Sequence, residues 1–455
     1  MSKVVELILV LVVVGSTLAF GGVQPIAYSL AEVVLFLGLL LLVLARARQG
    51  EIKLHVPWWP VLFALLVALQ VIPLPSPLIL GLSPARALDA SLAALPHGTW
   101  VWATLSIYPH QTLLLLLRFL ACLTAFVLAA EVFDSGRGKS TLVRTLIILG
   151  CFEAAYGIIQ YLTGWQRIFT FVKQYDTAEA TGTYINRNHF AGLIELTAPF
   201  AFAAAFYAFQ RWLESRRVSR PESAFGLQSV FYLFLMAIMI VGVIFSRSRG
   251  GILATVSSII FIALLAQLKA KQKAWMLGIF LLLVCVMGYG LWIGLDPVLS
   301  RFEEVRQPGY LQMEGRISIW KDSLRLVRDS PITGTGLGTF AVAFRRFQTG
   351  KVEFFVDHAH SDYLEFAADT GLLGAALLFL PIFFLLIKMV SSFLDDPRRY
   401  RRAVTLGCIG STLAIMAHSV TDFNLQIPSN AIILAVVLGL GYKATCIERR
   451  EGRPR

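Results

Sequence analysis

The chain has 455 residues, is 57% hydrophobic and only 15% charged, and carries a formal net charge of +12. A mean hydropathy of +0.70 excludes an ordinary soluble domain and leaves a polytopic helical membrane protein. The basic residues lie between apolar stretches rather than on one face, which argues against a nucleic-acid partner and makes the lipid bilayer the expected surroundings.

In chain order, apolar stretches long enough to cross a bilayer as helices are predicted at 4–22, 27–45, 58–75, 111–132, 143–163, 189–209, 228–246, 250–268, 275–294, 370–392, 403–421 and 429–446. The expected fold class is therefore an all-α polytopic membrane protein of about twelve transmembrane helices. The third span is the weakest because of its prolines. The first is read as retained rather than as a cleaved signal peptide: only Lys3 precedes it as a charge, and it ends in Gly21-Gly22-Val23-Gln24-Pro25. Cys122, Cys151, Cys285, Cys408 and Cys446 lie in or at the ends of apolar runs without a C-x-x-C pair, so no disulfide framework or zinc site is indicated.

Charge alternates along the connections. Arg46 and Arg48, Arg137 and Arg144, Arg211 to Arg220, Lys269 to Lys273, Arg398 to Arg402 and the tail after Glu448 fall on one side. By the positive-inside rule that side is cytoplasmic, and so are both termini. Segments 76–110, 164–188, 247–249, 295–369 and 422–428 are then extracytoplasmic. This divides the chain into helices 1–9 (1–294), a large loop subdomain between spans nine and ten (295–369), and helices 10–12 with the tail (370–455). The nine Lys and Arg residues of the large loop do not oppose this, since long loops translocate largely regardless of charge. Within it, Ile317, Trp320, Leu324 and Val327 are expected on one helical face, and Lys321, Arg325 and Arg328 on the other. Such a helix lies in the membrane interface or packs on its neighbours.

Several short segments meet on the outer side. Thr183-Tyr184-Ile185-Asn186-Arg187-Asn188-His189 precedes the sixth span, where Asn and Arg also make ordinary helix caps. Arg247 and Arg249 stand in the five-residue gap Ser246–Gly250 between two spans, where arginine without a nearby acid is costly unless an anion neutralises it. Asp357-His358-Ala359-His360-Ser361-Asp362-Tyr363 leads into the tenth span. His-x-His can supply two metal ligands, but no further cluster joins it, whereas a histidine near neutral pH is a common general base. His418 and Asp422, four apart, are spaced for the carboxylate to hold the imidazole. Arg118 is expected to pair with Glu153 or Glu195 inside the membrane. Gly138-Lys139-Ser140 lacks the earlier glycine of a phosphate-binding loop, and Gly334-Thr335-Gly336-Leu337-Gly338 reads as a flexible turn outside a dinucleotide frame.

TGTYINRNHFAG (181–192), SRSRGG (246–251), GRISIWKDSLRLVRDSPITGTGLGTF (315–340), HAHSDYLEFAADTGLLG (358–374) and HSVTDFNLQIPSN (418–430) together resemble the O-antigen ligase and O-antigen polymerase superfamily of bacterial inner-membrane glycosyltransferases. The resemblance runs from about the fifth span to the twelfth. It implies a GT-C-like helical fold with a periplasmic loop over the active site. The implied partners are a glycan on undecaprenyl diphosphate as donor and a glycolipid or glycan acceptor, with no metal, cofactor or nucleotide sugar. Carried over by position, Arg187 and Arg249 match diphosphate-contacting arginines and His360 the base. Arg247 and His358 are neighbours that could exchange roles with them. Asn188, Tyr363, His418 and Asp422 are candidate supporting residues.

The chemistry asked of these residues is consistent. Guanidinium groups bind phosphate oxygens bidentately and keep their charge at any relevant pH. A histidine that deprotonates the acceptor hydroxyl for in-line attack gives inversion. The leading expectation is a ligase that moves a finished glycan to an acceptor such as lipid A-core. A polymerase using the same donor, or a flippase that only moves the lipid-linked glycan, are the alternatives.

Overall fold

The computed structural model describes residues 2–50, 54, 56–83, 101–134, 139–217, 223–270, 315–349 and 355–446. Its helices are α1 (Ser2–Leu18), α2 (Pro25–Arg48), α3 (Trp58–Val71), α4 (Ser76–Leu82), α5 (Pro109–Asp134), α6 (Lys139–Thr163) and α7 (Arg187–Arg217). They continue with α8 (Ser223–Ser246), α9 (Arg249–Ala270), α10 (Arg316–Asp329), α11 (Phe340–Phe344), α12 (Asp362–Asp395), α13 (Arg399–His418) and α14 (Pro428–Cys446). The described strands form two small antiparallel pairs, Leu74–Pro75 with Trp102–Ala103 and Arg167–Ile168 with Phe171–Val172. The chain is an all-α polytopic membrane protein. Among the described residues, α2, α5, α6, α7, α8, α9, α12 and α14 are the eight helices long and apolar enough to cross a bilayer.

Three further helices stand where spans were expected. α1 has 17 residues, α3 has 14, and α13 opens on Arg399, Arg401 and Arg402. α3 stops short of the expected 58–75 because Ile72 precedes Pro73 and is held extended. The expected ninth span, 275–294, and the first part of the large loop, 295–314, lie outside the described residues. α12 begins eight residues earlier than expected, at Asp362, and is broken at Gly371 (φ 69°, ψ 176°). A Cβ there would come within 2.1 Å of the Ile332 carbonyl oxygen, so only glycine lets the segment before α11 press onto the break.

The bundle is organised on α7, whose apolar stretch is 89% buried against 22% for α2. α8 and α13 pack against it most extensively. Hydroxyls bond across the helices: Ser411 donates to the Leu196 carbonyl at 2.7 Å, and Ser258 to that of Gly410 at 2.6 Å. At the end where α2 finishes, Arg46 meets Glu131, Arg399 meets Glu214, Arg401 meets Asp396, and Arg402 donates to Gln210. The expected Arg118 pair is corrected: Arg118 sits 3.6 Å from Glu32 and over the Tyr28 ring, while Glu153 accepts from Thr183 and Glu195 faces His418.

α10 is a packed helix, and its buried face is rotated from the one expected. Ile319, Asp322, Ser323, Leu326 and Val327 are buried, while Leu324 is exposed. Ile319, Leu326 and Val327 join Phe340, Phe344, Val356, Ala359, Ala367 and Ala368 in a small second core beside the first part of α12. The Gly334–Gly338 turn is not a loose loop. Leu337 N–H donates to Gln70, Gly338 N–H to the Asp369 carboxylate, and Gly336 N–H to the Asp369 carbonyl. Buried acceptors from α3 and α12 therefore tie the turn down.

Candidate active site

The start of α7 is fixed from below. Glu153 accepts from both the amide and the hydroxyl of Thr183 at 2.7 Å, Gln160 donates to the Gly182 carbonyl, and the Tyr184 hydroxyl reaches Ser429 and Asn430. Asn186 caps the helix by accepting from Asn188 N–H at 2.7 Å. This anchoring holds Arg187 as the first residue of α7. Its guanidinium lies 2.9 Å from Glu179 and 3.8 Å from Asp176. Glu179 also stands 3.5 Å from Arg247, so one carboxylate from the preceding loop bridges two arginines. That carboxylate was missed in sequence because it lies 68 residues from Arg247.

Arg247 turns the chain between α8 and α9 with φ at +56°. Ser248 caps α9 by accepting from Gly251 N–H, and Arg249 is the first residue of that helix. A Cβ at Gly250 would stand 2.8 Å from the His418 ring, so glycine lets the arginine turn lie against the end of α13. Arg316 is likewise the first residue of α10. It donates to the Thr421 carbonyl at 3.2 Å and lies 3.7 Å from Asp422.

Asp422 is the hub. Asn188 and Phe423 N–H donate to its carboxylate, and His189 lies 3.7 Å away. Burial alone would push this carboxyl up, but His189, His418, Arg316 and His360 hold it below the usual aspartate range. The expected carboxylate hold of Asp422 on His418 is corrected. His418 Nδ1 instead lies 2.8 Å from Glu195 and 3.1 Å from the Asn424 amide, because α7 and the turn after α13 close around the ring.

The segment before α12 carries the two remaining histidines around the Phe423 ring. His358 stacks on it at 4.1 Å, and His360 meets it edge-on at 5.2 Å. Glu365 accepts from Ala359 N–H and pairs with His358 Nδ1 at 2.8 Å, and the Trp320 indole donates to the Ala359 carbonyl. Asp362 N–H donates to the carbonyls of Ser419 and Asp422. Held on both sides, His360 adopts φ +49°, and its Nδ1 is buried without a hydrogen-bond partner. The two rings titrate oppositely. Burial would lower His358, but Glu365 overrides it and lifts the pKa to about 9. Burial also lowers His360; Asp422 opposes this, and Arg316 and His358 reinforce it. At neutral pH His358 is therefore charged, while His360 is neutral and able to accept a proton.

Arg187, Asn188, Arg247, Arg249, Arg316, His418 and Asp422 line one narrow cavity, about 340 Å³ when the open space at its mouth is counted. Three of the four arginines stand at the first position of a helix, where the backbone dipole already presents positive charge. Three helix starts and four guanidinium groups converging on one space make an arrangement suited to a multiply charged anion. His358 and His360 stand beside this cavity, coupled to it through Asp422 and Arg316. Tyr363 is apart from it: its hydroxyl donates to the Met416 carbonyl and its ring packs on Phe379. Arg316 and His189 were missed as site residues. The signal for Arg316 was a cation directly after Gly315 at a helix start, where the dipole disfavours it. Among the described residues, no group of three or more His, Cys, Asp or Glu is arranged to hold a metal.

Residues 234–379 match the family model described as O-antigen ligase. No curated protein matches the chain. The matched segment contains Arg247, Arg249, Arg316, His358 and His360, while Arg187 and Asp422 reach the same site from outside it. The match supports placing this chain in the O-antigen ligase superfamily.

Proposed function

We infer that the protein is a ligase-type glycosyltransferase that moves a glycan from undecaprenyl diphosphate to an acceptor hydroxyl, such as one on lipid A-core. The observation that carries this reading is the convergence of Arg187, Arg247, Arg249 and Arg316 on one cavity, with His360 next to it. In this reading the guanidinium groups hold the diphosphate and stabilise the charge that grows as the sugar–phosphate bond breaks. His360 takes the proton from the acceptor hydroxyl as its oxygen attacks the anomeric carbon from the opposite face. A new glycosidic bond forms, undecaprenyl diphosphate leaves with the bonding pair, and the configuration inverts. Asp422 positions Arg316 and Asn188 and balances the imidazoles; His358, held charged by Glu365, fixes the backbone that presents His360.

The arginine end is read as periplasmic and the opposite, basic end as cytoplasmic, in a bacterial inner membrane with both termini inside. The described part of the large loop, 315–349 and 355–361, is then read as periplasmic, over a GT-C-like bundle. The experiment is incubation of purified protein with a defined undecaprenyl-diphosphate glycan and candidate acceptors, with and without chelator. Glycan joined to a foreign acceptor supports a ligase, whereas elongation on undecaprenyl diphosphate identifies a polymerase. Movement of donor across vesicles without any new glycosidic bond would overturn the reading in favour of a flippase, and loss of transfer on chelation would overturn arginine-based catalysis.

A further inference from the structure

A second cleft opens sideways on the far half of the bundle, between the start of α3, the outer face of α12 and the end of α14, with about 2790 Å³ of space including its open side. Its long wall is apolar: Leu373, Leu377, Leu380 and Phe384 of α12, faced by Trp58. From Leu373 to Leu385 this apolar wall runs for ~18 Å, a little more than half the thickness of a bilayer's hydrocarbon core. Its lower end is charged, with Lys388, Arg398 and Arg401 against Asp395 and Asp396. Three cations against two carboxylates leave one positive charge in excess.

Two of these cations are not explained by packing. Arg401 is nine-tenths buried and gives its Nε to Asp396, yet its Nη1 is buried with no hydrogen-bond partner. A guanidinium N–H shut away from water without an acceptor is destabilising unless a ligand supplies one. Lys388 is exposed on a membrane-spanning helix, ~10 Å above the helix end at Asp395. An ammonium at that depth reaches back toward the headgroup level. A soluble anion would leave the apolar wall uncovered, and a bare hydrocarbon would leave Arg401 without an acceptor. An amphiphile with one negative charge satisfies both halves.

We propose that this cleft is a binding site for a monoanionic glycerophospholipid, separate from the arginine cavity. Its phosphodiester accepts from Arg401 Nη1 and Lys388 Nζ, and its acyl chains lie along Leu377, Leu380 and Phe384. The site faces the leaflet at the basic end of the bundle and does not depend on the catalytic reading.

The test uses full-length protein, delipidated in mild detergent, with phosphatidylglycerol, phosphatidylethanolamine or diacylglycerol added back. Native mass spectrometry counts retained lipid, and thermal unfolding measures its effect. Phosphatidylglycerol is expected to stay bound at one molecule per chain and raise the unfolding midpoint by several degrees, with the other two lipids far weaker. Lys388→Met should weaken retention by an order of magnitude while leaving the lipid-free midpoint and glycan transfer unchanged, and Arg401→Met should abolish retention. If Arg401→Met does not fold, Lys388→Met alone decides. Equal stabilisation by diacylglycerol or phosphatidylethanolamine, unchanged retention in Lys388→Met, or no retained lipid in the wild type would each overturn the proposal.

Discussion

Where α2 and α13 meet the basic end of the bundle, arginines are paired off one by one: Arg46 with Glu131, Arg399 with Glu214, Arg401 with Asp396. At the opposite end Arg187, Arg247, Arg249 and Arg316 arrive from separate parts of the chain and line a single cavity with Asp422 in its wall, while Glu179 bridges Arg187 and Arg247. The same residue type thus does two jobs. Dispersed pairs fasten helix ends to one another, and removing one costs stability. Gathered guanidinium groups concentrate positive field in a small space, which favours binding a charged ligand over holding helices together.

Substitutions at the two ends should therefore differ in kind. The largest expected effect is on His360→Ala, which should lower transfer by ~10³-fold, as loss of a general base does, with normal membrane insertion. The pH profile sharpens this. Because His360 titrates below its ordinary value, wild-type activity should rise through an acid limb below that of a free histidine and be complete at neutral pH. The charge on His358 carries the opposite sign. Its folded pKa of about 9 is above its ordinary 6.5, so its stabilisation is complete below about 6.5 and lost as pH rises through about 9. Activity should decline along that same alkaline limb, measured as kcat/KM against pH.

Asp422→Asn should reduce transfer by ~10-fold and move the acid limb to lower pH, since the carboxylate raises the His360 pKa. A purely structural role would leave the limb in place. At the other end, Asp396→Asn strands the buried Arg401 and should cost ~3 kcal/mol of stability in unfolding, with kcat/KM of the surviving protein unchanged. The smallest effect is expected for Glu179→Gln. Glu179 occupies the space between Arg187 and Arg247, so neutralising it should lower the donor KM a few-fold rather than raise it.

The sequence made one level of this structure readable and hid another. Apolar length located the eight long helices of the described residues, and charge alternation grouped Arg187, Arg247, Arg249 and His360 on one side, because both signals are local. Partnerships were not readable. His418 looks four residues ahead to Asp422 in sequence, yet the packing of α7 supplies Glu195, more than 200 residues away. Arg118 finds Glu32 and Tyr28 on α2 rather than either acid of α6 or α7. On α10 the expected apolar face failed because Asp322 is buried by bonds to Arg325 and Thr349, so a charged position belongs to the inner side. Hydrophobic periodicity assigns such a residue outward.

In the proposed reaction the gathered arginines bind the departing diphosphate. The most direct measurement is donor affinity and transfer by reconstituted Arg249→Ala, Arg249→Lys and Arg187→Ala proteins, beside wild type. Each alanine variant should lose ~10²-fold or more of its transfer, with little rescue by lysine, which lacks the bidentate fork. Wild-type affinity and turnover in Arg249→Ala would contradict it.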